Sequence, residues 1–148
     1  MEKKSIFEQS ASLESLKEIA NKVCNEIKEL QTFCLWLDGP MGAGKTTLTR
    51  YIMRGLGLSE DIPVTSPTYT YLNEYKIGTR WIAHLDLYRL EGSGDLNDLG
   101  LTDTRPFSGY IVEWPEAVED PDPLHATHIL EIKATEPSLR QYRFSRIG

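Results

Sequence analysis

Gly39-Pro-Met-Gly-Ala-Gly-Lys-Thr-Thr47 is a complete Gly-x-x-x-x-Gly-Lys-[Ser/Thr] phosphate loop, and its reading decides the fold. Such a loop offers backbone N–H groups to phosphate oxygens, while its lysine reaches the outer phosphates and its hydroxyl ligates Mg²⁺. Here those roles fall on Met41, Gly42, Ala43, Gly44, Lys45, Thr46 and Thr47, with Thr46 as the metal-ligating hydroxyl. The flanks agree with the motif. Thr32-Phe-Cys-Leu-Trp-Leu37 is a short apolar run rich in β-formers and reads as a buried strand. Beyond the loop, Leu48, Ile52 and Leu56 recur at fours, and Gly55 and Gly57 supply stop signals. Strand, glycine loop and helix thus come in the order that points a helix dipole at an anion.

Outward from this unit, Leu13, Leu16, Ile19, Val23, Ile27 and Leu30 step by threes and fours, predicting an amphipathic helix that Ser10 or Ser12 caps. Residues 62–68 form a loop pinned by Pro63 and Pro67. Residues 68–75 and 80–86 are strand-like and separated by a short link, which predicts a hairpin. Residues 91–100 suggest a short helix around Leu96 and Leu99. Tyr110-Ile-Val-Glu113 reads as another buried strand, followed by an acidic, proline-rich surface loop over 115–123. Segments 127–134 and 142–147 alternate apolar and polar residues, like paired edge strands.

At 148 residues the chain is expected to form one domain, 1–148. Its composition, 40% apolar and 26% charged, is that of a globular protein with a core. No apolar run approaches the ~18 residues of a membrane span, and Met-Glu-Lys-Lys-Ser leads into no signal-like stretch. Cys24 and Cys34 have no partnered spacing and are expected to be reduced. These features together predict the cytoplasm. A net charge of −6 argues against a broad nucleic-acid surface of the chain's own.

Ligands of open α/β sheets sit outside the carboxyl ends of the strands. Asp86 and Glu113 close two predicted strands there. A phosphate-loop enzyme uses one such acid to hold Mg²⁺ and often another to position water. Spacing alone reads each equally well as a solvated strand-end carboxylate. By the same measure Thr68 is an ordinary turn hydroxyl, and Trp114 is a packed core residue or a platform for a purine. His84, His125 and His128 have no metal-ligand spacing. Arg140, Arg143 and Arg146 read as the solvent face of a strand, with a phosphate or partner contact as the alternative. The chain contains no Asp-x-x-Gly and no Asn-Lys-x-Asp, which disfavours a regulatory GTPase. Its loop looks like that of shikimate-kinase-type enzymes, but residues 106–139 hold no arginine for a phosphate lid.

Four segments taken in order resemble the TsaE (YjeE) family across about residues 10–145: Gly39–Thr47, Ser66-Pro-Thr-Tyr-Thr70, His84-Leu-Asp-Leu-Tyr-Arg-Leu90 and Val112-Glu-Trp-Pro115. The family loop often reads Gly-Asp-Leu-Gly, so Pro40 and Met41 occupy its variable positions. The resemblance implies a small phosphate-loop α/β domain with a mostly parallel central sheet, flanking helices and additional antiparallel strands. It further implies a weak, partner-stimulated ATPase using ATP and Mg²⁺ and yielding ADP. That ATPase acts with the TsaD–TsaB pair, and through it on tRNA, to make threonylcarbamoyladenosine. Carried over by position, Lys45 holds the outer phosphates, Thr46 and Glu113 associate with the metal, and Asp86 serves catalysis. Thr68 lies in a switch-like segment and Trp114 near the adenine. A small-metabolite kinase and a non-hydrolytic ATP-sensing module are the alternatives.

Overall fold

The computed structural model of the chain describes residues 2–40, 44–67, 70–90, 96, 106–118 and 121–148. In chain order the elements are β1 (Lys3–Ser12), α1 (Leu16–Ile27), β2 (Phe33–Asp38), α2 (Lys45–Gly55), β3 (Leu72–Ile77), β4 (Arg80–Asp86), β5 (Gly109–Glu113), β6 (His128–Glu136) and β7 (Leu139–Ile147). All seven strands join one sheet in the order β1-β7-β6-β2-β5-β4-β3. The central pairs β6–β2, β2–β5 and β5–β4 are parallel, while β1–β7, β7–β6 and β4–β3 are antiparallel. A parallel core with antiparallel margins is what the resemblance implied.

The middle of the sheet is apolar on both sides because both sides are covered. Leu35 and Leu37 of β2 face α1 and α2, in one core with Ile19, Val23, Ile27, Leu48, Ile52, Ile111 and Leu130. Cys34 points the other way, into a second core with Leu85, Leu87, Leu96, Phe107, Val112, Val118 and Leu124. Among the described residues, both α-helices lie on the first face and irregular segments cover the second. Both cysteines are free and buried, and burial pushes their thiols up to about 11 for Cys24 and about 12 for Cys34.

Several expectations shift. Helix α1 spans Leu16–Ile27, with Leu13 in a 3-10 turn before it and Leu30 beyond it, both exposed. Ser10 lies in β1, and neither Ser12 nor Ser15 makes a side-chain capping bond. The predicted hairpin forms as β3–β4, turning at Gly78 (φ +63°). Strand β3 starts at Leu72 because Tyr71 adopts a left-handed backbone (φ +65°) and donates its N–H to Pro67 O at 2.7 Å. Segments 127–134 and 142–147 pair as predicted but are not edges, since β6 also pairs with β2 and β7 with β1. The helix expected over 91–100 lies outside the described residues, apart from Leu96.

Candidate functional site

The parallel register brings the tips of three strands level. Glu113 pairs with Leu37 on one side and with Asp86 on the other. Both acids, read from the sequence as strand-end carboxylates, therefore stand side by side next to the strand that feeds the loop. Neither is solvated: Asp86 is 5% exposed and Glu113 4%. The backbone around them is tied down, with Asp86 N–H donating to Tyr71 O and Leu87 N–H to Glu113 O, each at 3.0 Å. Asp86 Oδ1 accepts the N–H of Tyr88 at 3.0 Å, which starts the short turn Tyr88–Leu90.

Gly44 is the N-cap of α2 at φ +91°, a conformation that side-chain-bearing residues seldom adopt. Helix α2 therefore begins at Lys45, with its free N–H groups facing the loop. The Lys45 side chain is 6% exposed and its Nζ donates to Gly39 O at 2.7 Å. Desolvation lowers its pKa, opposed by the negative charges of Glu113, Asp86, Glu116 and Asp38, in that order. Thr46 and Thr47 follow in the first turn of α2, half-buried. Met41, Gly42, Ala43 and Thr68 lie outside the described residues.

Trp114 also takes a left-handed backbone (φ +58°), which turns the chain sharply as β5 ends. Its ring lies 4.0 Å from the Lys45 ammonium, a cation–π distance, and 5.0 Å from the ring of Tyr88. The structure thus places Trp114 over the lysine of the loop. Beside it opens a cleft of about 380 Å³ between Gly39–Pro40, Trp114 and the β6–β7 residues Lys133 and Arg143. Arg143 lies 3.3 Å from Glu8 and 3.9 Å from Glu131, and Arg146 lies 3.5 Å from Glu26. The two do not share a face: three apart on β7, Arg143 lies on the open face beside Glu131 and Arg146 on the helix side beside Glu26 of α1, so the single solvent face expected from the sequence is not formed.

His84, read from sequence without metal-ligand spacing and as the first residue of one family segment but given no role, belongs to this site. It is fully buried and its Nε2 lies 2.6 Å from Glu113 Oε2. A signal was available: His84 and Asp86 are two apart on one strand and so share a face.

These features define a class, an α/β protein whose central strand enters a helix through a glycine loop, with acids on the neighbouring strand tips. The profile of one family, threonylcarbamoyl adenosine biosynthesis protein TsaE, matches residues 10–143, and the chain belongs to that family. It is similar to the tRNA threonylcarbamoyladenosine biosynthesis protein TsaE of Bacillus subtilis strain 168, at 36% identity over 115 residues, covering 77% of this chain and 70% of that protein. The protein of the same name from Aquifex aeolicus strain VF5 is 30% identical over 136 residues, covering 91% of this chain and 92% of its own. The crystal structure of YdiB from Bacillus subtilis superposes with a TM-score of 0.71 at 26% identity, covering 100% of this chain and 89% of that one.

Proposed function

We propose that this chain binds Mg²⁺–ATP and hydrolyses it slowly, as the ATPase that serves threonylcarbamoyladenosine formation on tRNA together with TsaD and TsaB. The observation that carries this reading is Lys45: a buried ammonium at the start of α2, facing two buried carboxylates on adjacent strand tips.

The residues present fit the nucleotide and its metal. The Lys45 ammonium now donates to Gly39 O, a neutral acceptor that a phosphate oxygen replaces with a stronger, charge-assisted bond. Thr46 and Glu113 supply hard oxygen donors suited to Mg²⁺, which draws its remaining ligands from phosphate and water. When bound, that ion neutralises charge on the phosphates. Gly44 and the amides of the preceding loop residues cradle the triphosphate. Asp86 and Glu113 orient the water that attacks the terminal phosphorus, and burial keeps bulk water from competing. Thr68 belongs to a segment that responds to that phosphate. Trp114 is reserved for the adenine, and its contact with the ammonium gives way as the nucleotide enters. Contact with tRNA is indirect, through the TsaD–TsaB complex, and the cytoplasm is the compartment this role requires.

The test is the ATPase rate of the purified chain with and without its cognate TsaD–TsaB pair. Feeble turnover alone and clear stimulation by the pair are expected. Unchanged turnover with the pair present overturns the reading. If a variant that binds ATP without hydrolysing it still sustains continuous tRNA modification, the chain is an ATP-sensing module instead.

A further inference from the structure

We propose that His84 is a positioning residue that holds the Glu113 carboxylate by one oxygen, so that the other oxygen alone faces the reacting groups. The inference rests on the reading of Glu113 as a carboxylate of the hydrolytic site. On the parallel pair β4–β5, His84 stands opposite Ile111 and Asp86 opposite Glu113. The Glu113 side chain therefore reaches back two register pairs along the same face to meet the imidazole, and Oε2 ends 2.6 Å from Nε2. Neither partner can drift: His84 is wholly buried, and Glu113 is anchored through its own carbonyl to Leu87 N–H.

The other imidazole nitrogen fixes the direction of the bond. His84 Nδ1 is buried, with no hydrogen-bond partner among the described residues. A proton there would leave a buried donor unpaired, whereas a bare nitrogen leaves only a weak acceptor unmet. The arrangement that satisfies more of the site puts a proton on Nε2, which donates to Glu113 Oε2. Oε2 is then committed to the histidine, which leaves Oε1 as the oxygen open to the reacting groups. Partners one step removed from a reacting group typically change activity by ~10–100-fold when lost.

Three substitutions separate positioning from simple packing. His84→Gln places an amide N–H near the Nε2 position; His84→Asn keeps polarity but is too short; His84→Leu removes the donor. With the whole chain and its TsaD–TsaB partners, Leu and Asn are expected to lower kcat by about tenfold or more, with ATP affinity and KM little changed. Gln is expected to recover most of the rate. Full rates in folded Leu and Asn variants overturn the role, and so does a Gln variant as impaired as they are. Should the Leu variant fail to fold, the Asn–Gln contrast still decides. Nitrogen-15 NMR of the histidines in the nucleotide-free chain is the independent arm: an Nε2–H hydrogen-bonded to a carboxylate is expected, and the tautomer with a bare Nε2 overturns the proposal. A wild-type chain that binds no ATP sinks the functional reading itself, while normal wild-type turnover with indifferent variants sinks only His84's part.

Discussion

Lys45 feels two opposing pulls, the loss of water around its ammonium and the attraction of four carboxylates, and the first dominates. In the proposed reading a phosphate group would supply the missing solvation, which would make this cation a binding element rather than a stabilising one. Lys45→Ala is therefore expected to abolish measurable nucleotide affinity while leaving the fold intact. Glu113→Ala is expected to lower hydrolysis ~100-fold or more yet change affinity by less than about tenfold. Calorimetric titration beside a phosphate-release assay separates the two, and wild-type turnover in both variants refutes the site. His128 supplies a second residue-level test. It is buried against Phe144, its Nδ1 lies 2.8 Å from Thr127 Oγ1, and its Nε2 reaches only to 3.5 Å from Glu26. Desolvation lowers its pKa below the ordinary 6.5, against the pull of Glu26. The unfolded chain thus takes up this proton before the folded one does, so stability is lost as pH falls below about 6.5 and is whole above it. Between pH 7.5 and 5.5 the urea midpoint is expected to drop more for the wild type than for His128→Gln. Equal drops show that His128 does not contribute. At this scale Asp86 and Glu113 were legible because a strand period ending in an acid is a local pattern. His84 was not, because its partner lies 29 residues away and only strand pairing brings the two together.

Two glycines set how closely elements approach, and both are testable. A Cβ on Gly109 would sit 2.3 Å from atoms of the Phe33 ring, its register partner across β2–β5. A Cβ on Gly55 would sit 2.5 Å from Cys24 Sγ, where α2 crosses α1. The Phe33 ring is buried and has nowhere to go, whereas the Cys24 thiol can rotate away from its bond to Ile52 O. Gly109→Ala is thus expected to cost about 1–3 kcal/mol in chemical denaturation. Gly55→Ala should cost less, since alanine returns ~1 kcal/mol of helix propensity. Adding Cys24→Ala should recover part of the Gly55→Ala loss, a non-additive pair. Additive losses mean the helices contact each other elsewhere. Element legibility followed periodicity. Strand β2 and α2 were readable because motif and period agree. Strand β1 was not, since a bulge between Ser5 and Phe7 breaks its alternation and few of its residues are apolar. Strands β6 and β7 were legible as a pair but misplaced as edges. Alternation reports one open face, which an interior strand also has when no helix among the described residues packs over Glu131, Lys133 and Arg143.

Charge organises the molecule as a whole. The chain carries −6, and the parallel strands deliver Asp38, Asp86 and Glu113, with Glu116 from the turn after β5, around the ammonium of Lys45. A bare triphosphate reaching Lys45 meets the buried carboxylates of Asp86 and Glu113 at short range, where little water screens them, and the exposed ones of Asp38 and Glu116 farther out. The same anion carrying Mg²⁺ arrives with part of its charge cancelled and offers the carboxylates a cation to face. Binding should therefore depend steeply on the metal, more so than in a site lined by several lysines or arginines. At a concentration ~100 times its Kd, Mg²⁺–ATP stabilises a folded chain by about 2.7 kcal/mol, a rise of roughly 5–10 °C in Tm for a domain of this size. Thermal unfolding with ATP and excess Mg²⁺ is expected to show that rise. ATP with EDTA should give little or none of it, and Lys45→Ala should abolish it under both conditions. An equal rise with EDTA means that the acids around Lys45 do not face the phosphates, and the arrangement proposed for the site would have to be abandoned.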